Sequence, residues 1–574
     1  MQTPQTNSMA SESAMPSDRS SSPYAARPWL KHYDYWVPPR MTYPGKPLYE
    51  ILATTAVETP DAQATAFLGA SLTFREIKLR TDRLARAFVQ LGIVKGDRVG
   101  IMLPNCPQYI LATFATLRLG AIVVNINPIY TERELLTVAA DSGIKLLVTL
   151  DKLAPLAFAV CGKTDLSKVI VTSLGEYSAE QAETPRITNA LSLADLTRDD
   201  QGEDLPLVQI DPDDLAVLQY TGGTTGTPKG AMLSHGNIFA NVVQTETWQY
   251  RSYERGYGRY LLVIPYFHIY AFTVGMMCGV WVGGLQILIP KYDVEQVLAA
   301  IRDLKPTYFP AVPTVFVSLL AHPKVKEYGL DQIKTVNSGG APCPVEVMEE
   351  FEQRIGRPLT QGYGLSETSP VTHSTPQLAK RKMSTIGQAL PDTDFKIVDV
   401  ETGTQEMPIG ASGELCICGP QVMKGYWNKP EETANALRRH DDGRIWFHTG
   451  DVATMDEDGY TSIVQRKKDM IIVDGFNVYP SEVEGVLYTH AAVRMVAVIG
   501  VPDPYHGEVV KACVVPRDPN VSLDELKAHC KANLAAYKVP KFIELRESLP
   551  QSAVGKILYR VLRDELQTKV TPKT

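Results

Sequence analysis

Cysteine is scarce in this chain, eight in 574 residues, and no two form a C-x-x-C pair. A disulfide framework or a zinc ribbon needs closely spaced thiols, so neither organises the fold. The cysteines read as reduced, mostly buried residues of a cytosolic protein. Excess positive charge is also missing: the net charge is −7 and the pI is near 5.9. Binding a phosphate backbone needs a basic face, which argues against a nucleic-acid partner. A membrane span needs about 18 consecutive apolar residues. Leu261 to Pro290 contains no Asp, Glu, Lys or Arg, but Pro265 and His268 interrupt its start and Gly283-Gly284 breaks it later. It predicts a buried strand, loop, helix, turn and strand. Met1 to Ala26 is rich in Ser, Ala and Pro without an apolar core, and reads as a disordered tail rather than a secretory signal.

The composition is that of ordinary globular proteins, 44% hydrophobic and 21% charged, and the length suggests several domains. From Pro47 to Phe158, helical and strand-like stretches alternate. Phe74, Ile77, Leu84, Phe88 and Leu91 share one helical face that Gly92 ends, and Val99 to Leu103 follows as a buried strand. This β-α-β rhythm implies a parallel sheet covered by helices. Leu174 to Pro212 is polar and acidic and reads as a surface excursion. A second α/β unit runs from Ile238 through the helices Val294 to Leu304 and Val312 to Leu320, to a strand ending at Ser338-Gly339-Gly340-Ala341-Pro342. Beyond Gly387, short strands separated by turns have the texture of a β-barrel or a small sheet. The charged run Arg466-Lys467-Lys468-Asp469 then precedes a last region of mixed strands and helices.

Between the two α/β units lies Thr221-Gly222-Gly223-Thr224-Thr225-Gly226-Thr227-Pro228-Lys229-Gly230. Glycines let a backbone curl until several N–H groups converge, hydroxyls add donors or metal ligands, and the lysine adds a positive charge. Such a loop suits a polyphosphate. The P-loop of nucleotide hydrolases places a hydroxyl after the lysine, and here Gly230 stands there, so that geometry fails. Three further stretches carry chemistry. In Gln361-Gly362-Tyr363-Gly364-Leu365-Ser366-Glu367-Thr368, Glu367 offers a hard oxygen ligand and Tyr363 an aromatic face for a purine. In Thr449-Gly450-Asp451, a carboxylate is able to accept from both ribose hydroxyls. In Pro550-Gln551-Ser552-Ala553-Val554-Gly555-Lys556, a lysine follows a flexible loop.

Taken in order from about Tyr43 to Leu566, these stretches resemble the adenylate-forming superfamily of acyl-CoA synthetases, luciferases and adenylation domains. Lys467 to Pro480 and Gly419 to Trp427 look most like bacterial long-chain fatty acid-CoA ligases. The resemblance implies a large domain over residues 29–465, of two doubly wound α/β subdomains and a small β-barrel. A disordered tail, 1–28, precedes it and a mobile α+β lid, 466–574, follows. It implies ATP, Mg²⁺ and coenzyme A as cofactors, and a fatty acid activated to an acyl adenylate before transfer to the CoA thiol. Thr221 to Lys229 would wrap the outer phosphates, with Thr224 and Glu367 linked to magnesium. Gly340, Ala341, Pro342, Gly362 and Tyr363 would hold adenine, with Gly364 also cofactor-binding, Ser366 an α-phosphate oxygen, and Asp451 and Arg466 the ribose. Lys556 would neutralise charge developing at the α-phosphate, and His268 would lie beside the acyl carboxylate. Lys468 matches the hinge, and Asp474 and Gly475 match a loop that meets CoA after the lid rotates. Amino-acid-activating relatives carry an aspartate at the His268 position, so an amino acid substrate is disfavoured. An aryl-acid CoA ligase and an acyl-AMP ligase serving a separate carrier protein share these motifs. A cytoplasmic enzyme, with peripheral contact to membrane lipid or a homodimeric state left open, fits the same reading.

Overall fold

The computed structural model describes residues 22–198, 204–221, 228–249, 255–474, 476–503, 505–552 and 555–570, with the side chains of 468, 477 and 567–570 left aside. Two large sheets carry the first two thirds of the chain. In the seven-stranded sheet the order is Leu191–Ser192, Lys168–Thr172, Ile144–Leu150, Arg98–Met102, Ile122–Asn125, Leu215–Thr221 and Lys229–Ser234. All neighbours are parallel except the last pair, an antiparallel hairpin in which Thr221 faces Lys229. Val99, Ile101, Val123, Leu146, Val148 and Val217 are buried, as expected where helices cover both faces of a parallel sheet. The nine-stranded sheet centres on Leu359–Gly364, Thr335–Ser338, Tyr308–Ala311, Arg259–Leu262 and Leu285–Leu288. The expected β-α-β units are thus present.

Helix boundaries follow local chemistry. Phe74–Gln90 opens on a capping box, with the Thr73 side chain accepting from the Glu76 N–H and Glu76 reaching back to Thr73. It ends where Gly92 takes φ +85°, a conformation that costs a Cβ-bearing residue about 1 kcal/mol or more. Helix Pro107–Arg118 is buried from Pro107 through Leu117 and packs against Phe74–Gln90. The uncharged stretch is core: strand Arg259–Leu262, a π-helical turn Ala271–Met277 running into Cys278–Trp281, and strand Leu285–Leu288. No described helix is long and apolar enough to cross a membrane.

Four features differ from the sequence expectation. The hairpin Gln63–Phe67 and Ala70–Thr73 belongs by sequence to the first unit, yet it pairs with the second sheet, Thr65 against Gln286, and covers that sheet's edge. The excursion 174–212 contributes two regular elements to the fold. Leu191–Ser192 extends the first sheet, and Leu193–Arg198 buries Leu193 and Thr197 against helix Phe74–Gln90. The expected small barrel is an open antiparallel sheet of Asp394–Val398, Gly413–Cys418, Ile445–Met455, Leu437–Arg439 and Thr461–Arg466. It stays open because its long strand Ile445–Met455 has Gly413–Cys418, Leu437–Arg439 and Thr461–Arg466 as neighbours, while Asp394–Val398 pairs only with Gly413–Cys418 among the named strands. The fourth difference covers that sheet. Residues 22–28, expected within the tail, are docked: Tyr24 is buried, its hydroxyl donates to the Met407 carbonyl at 2.9 Å, and Arg27 pairs with Asp394 at 2.7 Å. Trp29 lies 4.4 Å from Phe395.

The last region is a small α+β domain. Its sheet runs Phe476–Val478, Ile471–Val473, Gly507–Pro516 and Val493–Asp503, with Phe542–Leu545 also on Gly507–Pro516. Its two apolar clusters draw only on residues from Ile471 onward. Each fully buried large apolar side chain contributes about 1.5–3 kcal/mol, so this domain carries its own hydrophobic stabilisation.

Candidate active site

Both large sheets end on one cavity of about 2280 Å³, lined on its far side by the small C-terminal domain. In open α/β sheets, ligands collect beyond the carboxyl ends of the strands. Strand Leu215–Thr221 delivers Thr221 there, Thr335–Ser338 leads into Gly340, Ala341 and Pro342, and Leu359–Gly364 brings Gly362, Tyr363 and Gly364. Two glycines are required by close approach: a Cβ on Gly339 would sit 2.9 Å from the Tyr270 ring, and one on Gly364 would sit 2.1 Å from the Pro370 carbonyl. Tyr270 is itself fixed by donating to Asn337 Oδ1 at 2.7 Å.

Asp451 and Arg466 are cross-strand neighbours on Ile445–Met455 and Thr461–Arg466. Arg466 Nε lies 2.7 Å from Asp451 Oδ1, and the Tyr363 hydroxyl donates to Oδ2 at 2.5 Å. Each carboxylate oxygen keeps a second lone pair, so the group still accepts from a diol. Burial, then the Asp451 charge, pushes the Tyr363 phenol far up, and it remains a donor. Glu367 occupies the one-turn helix Ser366–Thr368, where its backbone carbonyl accepts from the Met423 N–H and Oε1 accepts from the Tyr426 hydroxyl, both at 2.8 Å. Its other oxygen, Oε2, takes no hydrogen bond among the described residues, which leaves a hard ligand free for a cation.

His268 and Lys556 face the same space from opposite domains. His268 Nδ1 accepts from the Tyr270 N–H at 3.2 Å, so the neutral ring carries its proton on Nε2. Burial and then the Lys556 charge push this imidazole down to about 4, which keeps it neutral at ordinary pH. Lys556 is itself held below the usual lysine value by the walls of the cleft, then by Arg466, with Asp451, Asp469 and Glu367 pulling the other way. One ammonium thus senses the Asp451–Arg466 pair, Glu367 and His268 together. Beyond His268 the cavity continues along Trp248, Val274, Tyr308 and Val317.

The family model for AMP-binding enzymes matches residues 52–427, and the model for the AMP-binding enzyme C-terminal domain matches 482–556. The chain belongs to the AMP-binding enzyme family. It is 43% identical to the long-chain-fatty-acid–CoA ligase of Bacillus subtilis, over 94% of this chain and 98% of the relative. It is 38% identical to the feruloyl-CoA synthase of an Amycolatopsis species, over 87% and 95%. The crystal structure of ATP-bound MatB from Rhodopseudomonas palustris superposes with a TM-score of 0.81 at 29% identity, covering 91% of this chain and all of that one.

In this AMP-binding enzyme the structure gathers Thr221, Lys229, His268, Gly340, Ala341, Pro342, Gly362, Tyr363, Gly364, Ser366, Glu367, Asp451, Arg466 and Lys556 around one cavity. Gly222, Gly223, Thr224, Thr225 and Gly226 lie outside the described residues, as does Gly475, so of the expected metal pair only Glu367 is placed. Lys468 lies in the single turn Lys467–Asp469. Asp474 does not join this cavity. It caps the hairpin Ile471–Val473 and Phe476–Val478 at φ +51°, half exposed, with His506 Nδ1 2.7 Å from its Oδ1. Two shaping residues escaped the sequence reading. Asn105 donates to the carbonyls of Leu262 and Ile264 at 3.0 and 2.9 Å and accepts from the Tyr266 N–H at 2.7 Å, which sets the loop carrying His268. Tyr426 lies within the matched stretch Gly419 to Trp427, but nothing local marks its contact with Glu367, 59 positions away.

Proposed function

We propose that this AMP-binding enzyme is an acyl-CoA synthetase that activates a fatty acid with ATP and transfers the acyl group to coenzyme A. A carboxylate is a poor electrophile because it is anionic and its leaving group would be oxide. A fatty acid oxygen attacks the ATP α-phosphorus, the bond to the bridging oxygen breaks, and pyrophosphate leaves. The CoA thiolate then attacks the acyl carbon of the adenylate and expels AMP. The observation that carries this reading is the convergence of Lys556, Glu367, His268 and the Asp451–Arg466 pair on one cavity with an apolar extension. A lysine shared among these groups suits charge that builds between carboxylate and α-phosphate, where a positioned cation stabilises the transition state. His268, neutral and protonated on Nε2, suits donation to an acyl oxygen. The loop to Lys229 suits the departing pyrophosphate. Asp451 and Arg466 suit the ribose, Ser366 the α-phosphate, and Tyr363 with Gly340, Ala341 and Pro342 the adenine. Glu367, with Thr224, would hold magnesium, which when bound neutralises phosphate charge.

The lid proposed for residues 466–574 would turn about Lys468 between the half-reactions, withdrawing Lys556 and presenting Asp474 and Gly475 to CoA. The exposed position of Asp474, outside the cavity that holds Lys556, supports such an alternation. A long-chain acid is the preferred substrate, since relatives bearing that name match nearly the whole chain. An aryl acid is the second reading, supported by the feruloyl-CoA synthase relative and by the Gln249 amide donating to the Tyr308 hydroxyl at 3.0 Å in the cavity wall. A cytoplasmic setting with contact to membrane lipid fits free, mostly buried cysteines and an apolar substrate. The deciding experiment is acid-dependent ATP–pyrophosphate exchange across short, medium, long and aromatic acids, with AMP release measured with and without CoA. Preference for long acids and CoA-dependent AMP release supports the proposal. Preference for cinnamate-like acids replaces it with the aryl reading, and AMP release indifferent to CoA overturns CoA as acceptor.

A further inference from the structure

Lys229 and Glu367 come from different motifs, yet one side chain stands between them. The Tyr426 hydroxyl donates to Glu367 Oε1 at 2.8 Å, and Lys229 Nζ lies 5.4 Å from the centroid of the Tyr426 ring. The backbone around Tyr426 is tied to both partners. Tyr426 forms an antiparallel bridge with Ala231, Met232 and Gly425 are joined at 2.9 Å, and Trp427 N–H donates to the Gly230 carbonyl at 2.8 Å. On the other side, Met423 N–H donates to the Glu367 carbonyl at 2.8 Å. Tyr426 therefore cannot shift against either element without breaking main-chain bonds. Gly425, at φ +138°, aims the segment, and a Cβ there would sit 2.6 Å from Thr433.

The hydroxyl has one proton, and it is committed to Oε1. That fixes the Glu367 carboxylate in one rotamer and leaves Oε2 as the oxygen open to a cation. The ring, meanwhile, offers its face to the Lys229 ammonium, whose ion-pair partner among the described residues is Glu432. A polyphosphate arriving at the loop would compete with Glu432 for that ammonium while the ring goes on restraining it.

We propose that Tyr426 is a positioning residue for the phosphate end of the site, orienting Glu367 toward the metal of a magnesium–nucleotide complex through its hydroxyl and restraining Lys229 through its ring. The inference rests on the proposed assignment of Glu367 to magnesium. The test compares Tyr426→Phe, Tyr426→Leu, Glu367→Gln and the Tyr426→Phe/Glu367→Gln double variant in the full chain. Mn²⁺ binding is titrated by electron paramagnetic resonance in the presence of α,β-methylene-ATP, and the Mg²⁺ dependence of exchange is measured alongside. Loss of an outer hydrogen-bond partner of a ligand weakens metal binding by about 10–100-fold, and Tyr426→Phe is expected near about tenfold, with kcat recovered at saturating Mg²⁺. Tyr426→Leu adds a rise in the KM for ATP that metal does not rescue. The double variant binds Mn²⁺ no more weakly than Glu367→Gln alone. If Glu367→Gln weakens Mn²⁺ binding while Tyr426→Phe leaves it unchanged, even with a lower melting temperature, the role of Tyr426 is overturned and that of Glu367 stands. Unchanged binding in Glu367→Gln overturns the magnesium assignment and this inference with it.

Discussion

The Asp451 end and the Lys556 end of the cavity are built in opposite ways. Asp451 is 2% exposed, sits in the interior of a long strand, and has both carboxylate oxygens engaged by Arg466 and Tyr363. Lys556 follows a loop held mainly by ties within itself, with Gln551 Nε2 donating to Met495 Sδ at 3.8 Å as its link to a strand of the same domain. Its N–H donates to Ser552 Oγ at 3.1 Å, its carbonyl accepts from the Ser552 N–H at 2.8 Å, and its ammonium has no ion pair among the described residues. The first group is fixed before any ligand arrives. The second sits on the small domain, and under the proposed alternation it is the charge that would be brought in and withdrawn between half-reactions.

Removing the movable charge tests the comparison most severely. Lys556→Ala is expected to lower acid-dependent ATP–pyrophosphate exchange by about 10²–10³-fold, the loss typical of one electrostatic stabiliser, while CoA still consumes a supplied acyl adenylate. Equal loss of both half-reactions would make Lys556 a fixed part of the site. The same lysine sets a pH dependence. In the proposed role its protonated form is the active one, and burial holds its pKa below the usual value, so exchange is expected to fall as pH rises, with a midpoint below the ordinary lysine value of about 10.4. A midpoint at or above that value would contradict the cleft environment.

Breaking the fixed end should appear in stability first. Arg466→Met leaves Asp451 buried without its cation. Because the Arg466 side chain is 39% exposed, the expected cost is about 2 kcal/mol, less than the 3–5 of a fully buried pair. Urea unfolding of Arg466→Met measures it, and a change under about 0.5 kcal/mol, the range of an ordinary surface substitution, would show that solvent already screens the pair. Lys468→Pro sharpens the contrast from the proposed hinge: adenylate formation is expected to be spared and thioester formation to fall, as read by exchange and by AMP release with CoA, and equal loss of both would contradict the rotation.

The smallest effect lies in the lid. Glu484 accepts from the Val498 N–H at 2.8 Å and the Tyr559 hydroxyl at 3.0 Å, and burial pushes its carboxyl up to about 7. A folded value above the unfolded one means the folded lid binds the extra proton. The associated stability is fully present below about pH 4.5 and lost as pH rises through about 7. Glu484→Gln should therefore raise the melting temperature at pH 8 by a few degrees relative to the parent and leave it nearly unchanged at pH 5. A gain of the same size at both pH values would show that the carboxyl titrates normally.

Local motifs were legible because their chemistry is local. Gly364 must be glycine beside Pro370, and Ser366 and Glu367 follow it in one turn, so the stretch from Gln361 to Thr368 announces itself. The β-α-β units were legible because apolar periodicity reports burial directly. What stayed hidden depends on partners far along the chain. No pattern in Gln63 to Thr73 says that this hairpin leaves the first unit to pair with Gln286. No feature of Asn105 says that it clips Leu262, Ile264 and Tyr266 more than 150 residues later. Tyr24 and Arg27 lie in a stretch whose composition resembles a tail, and only the open sheet they cover makes them structural.

The sequence by itself determined which reactive groups exist and in what order: a glycine- and threonine-rich loop, a glutamate beside a tyrosine, a carboxylate before an arginine, and a lysine on a late loop. Order along a chain does not set distance. The tertiary structure decided that Tyr426 bridges Glu367 and Lys229, that burial first and then Lys556 push the His268 imidazole down, and that Asp474 stays outside while Lys556 is in. Each of these depends on contacts between elements dozens to hundreds of residues apart, and those contacts form only when two sheets and a separate small domain bury their apolar faces and leave one cavity between them.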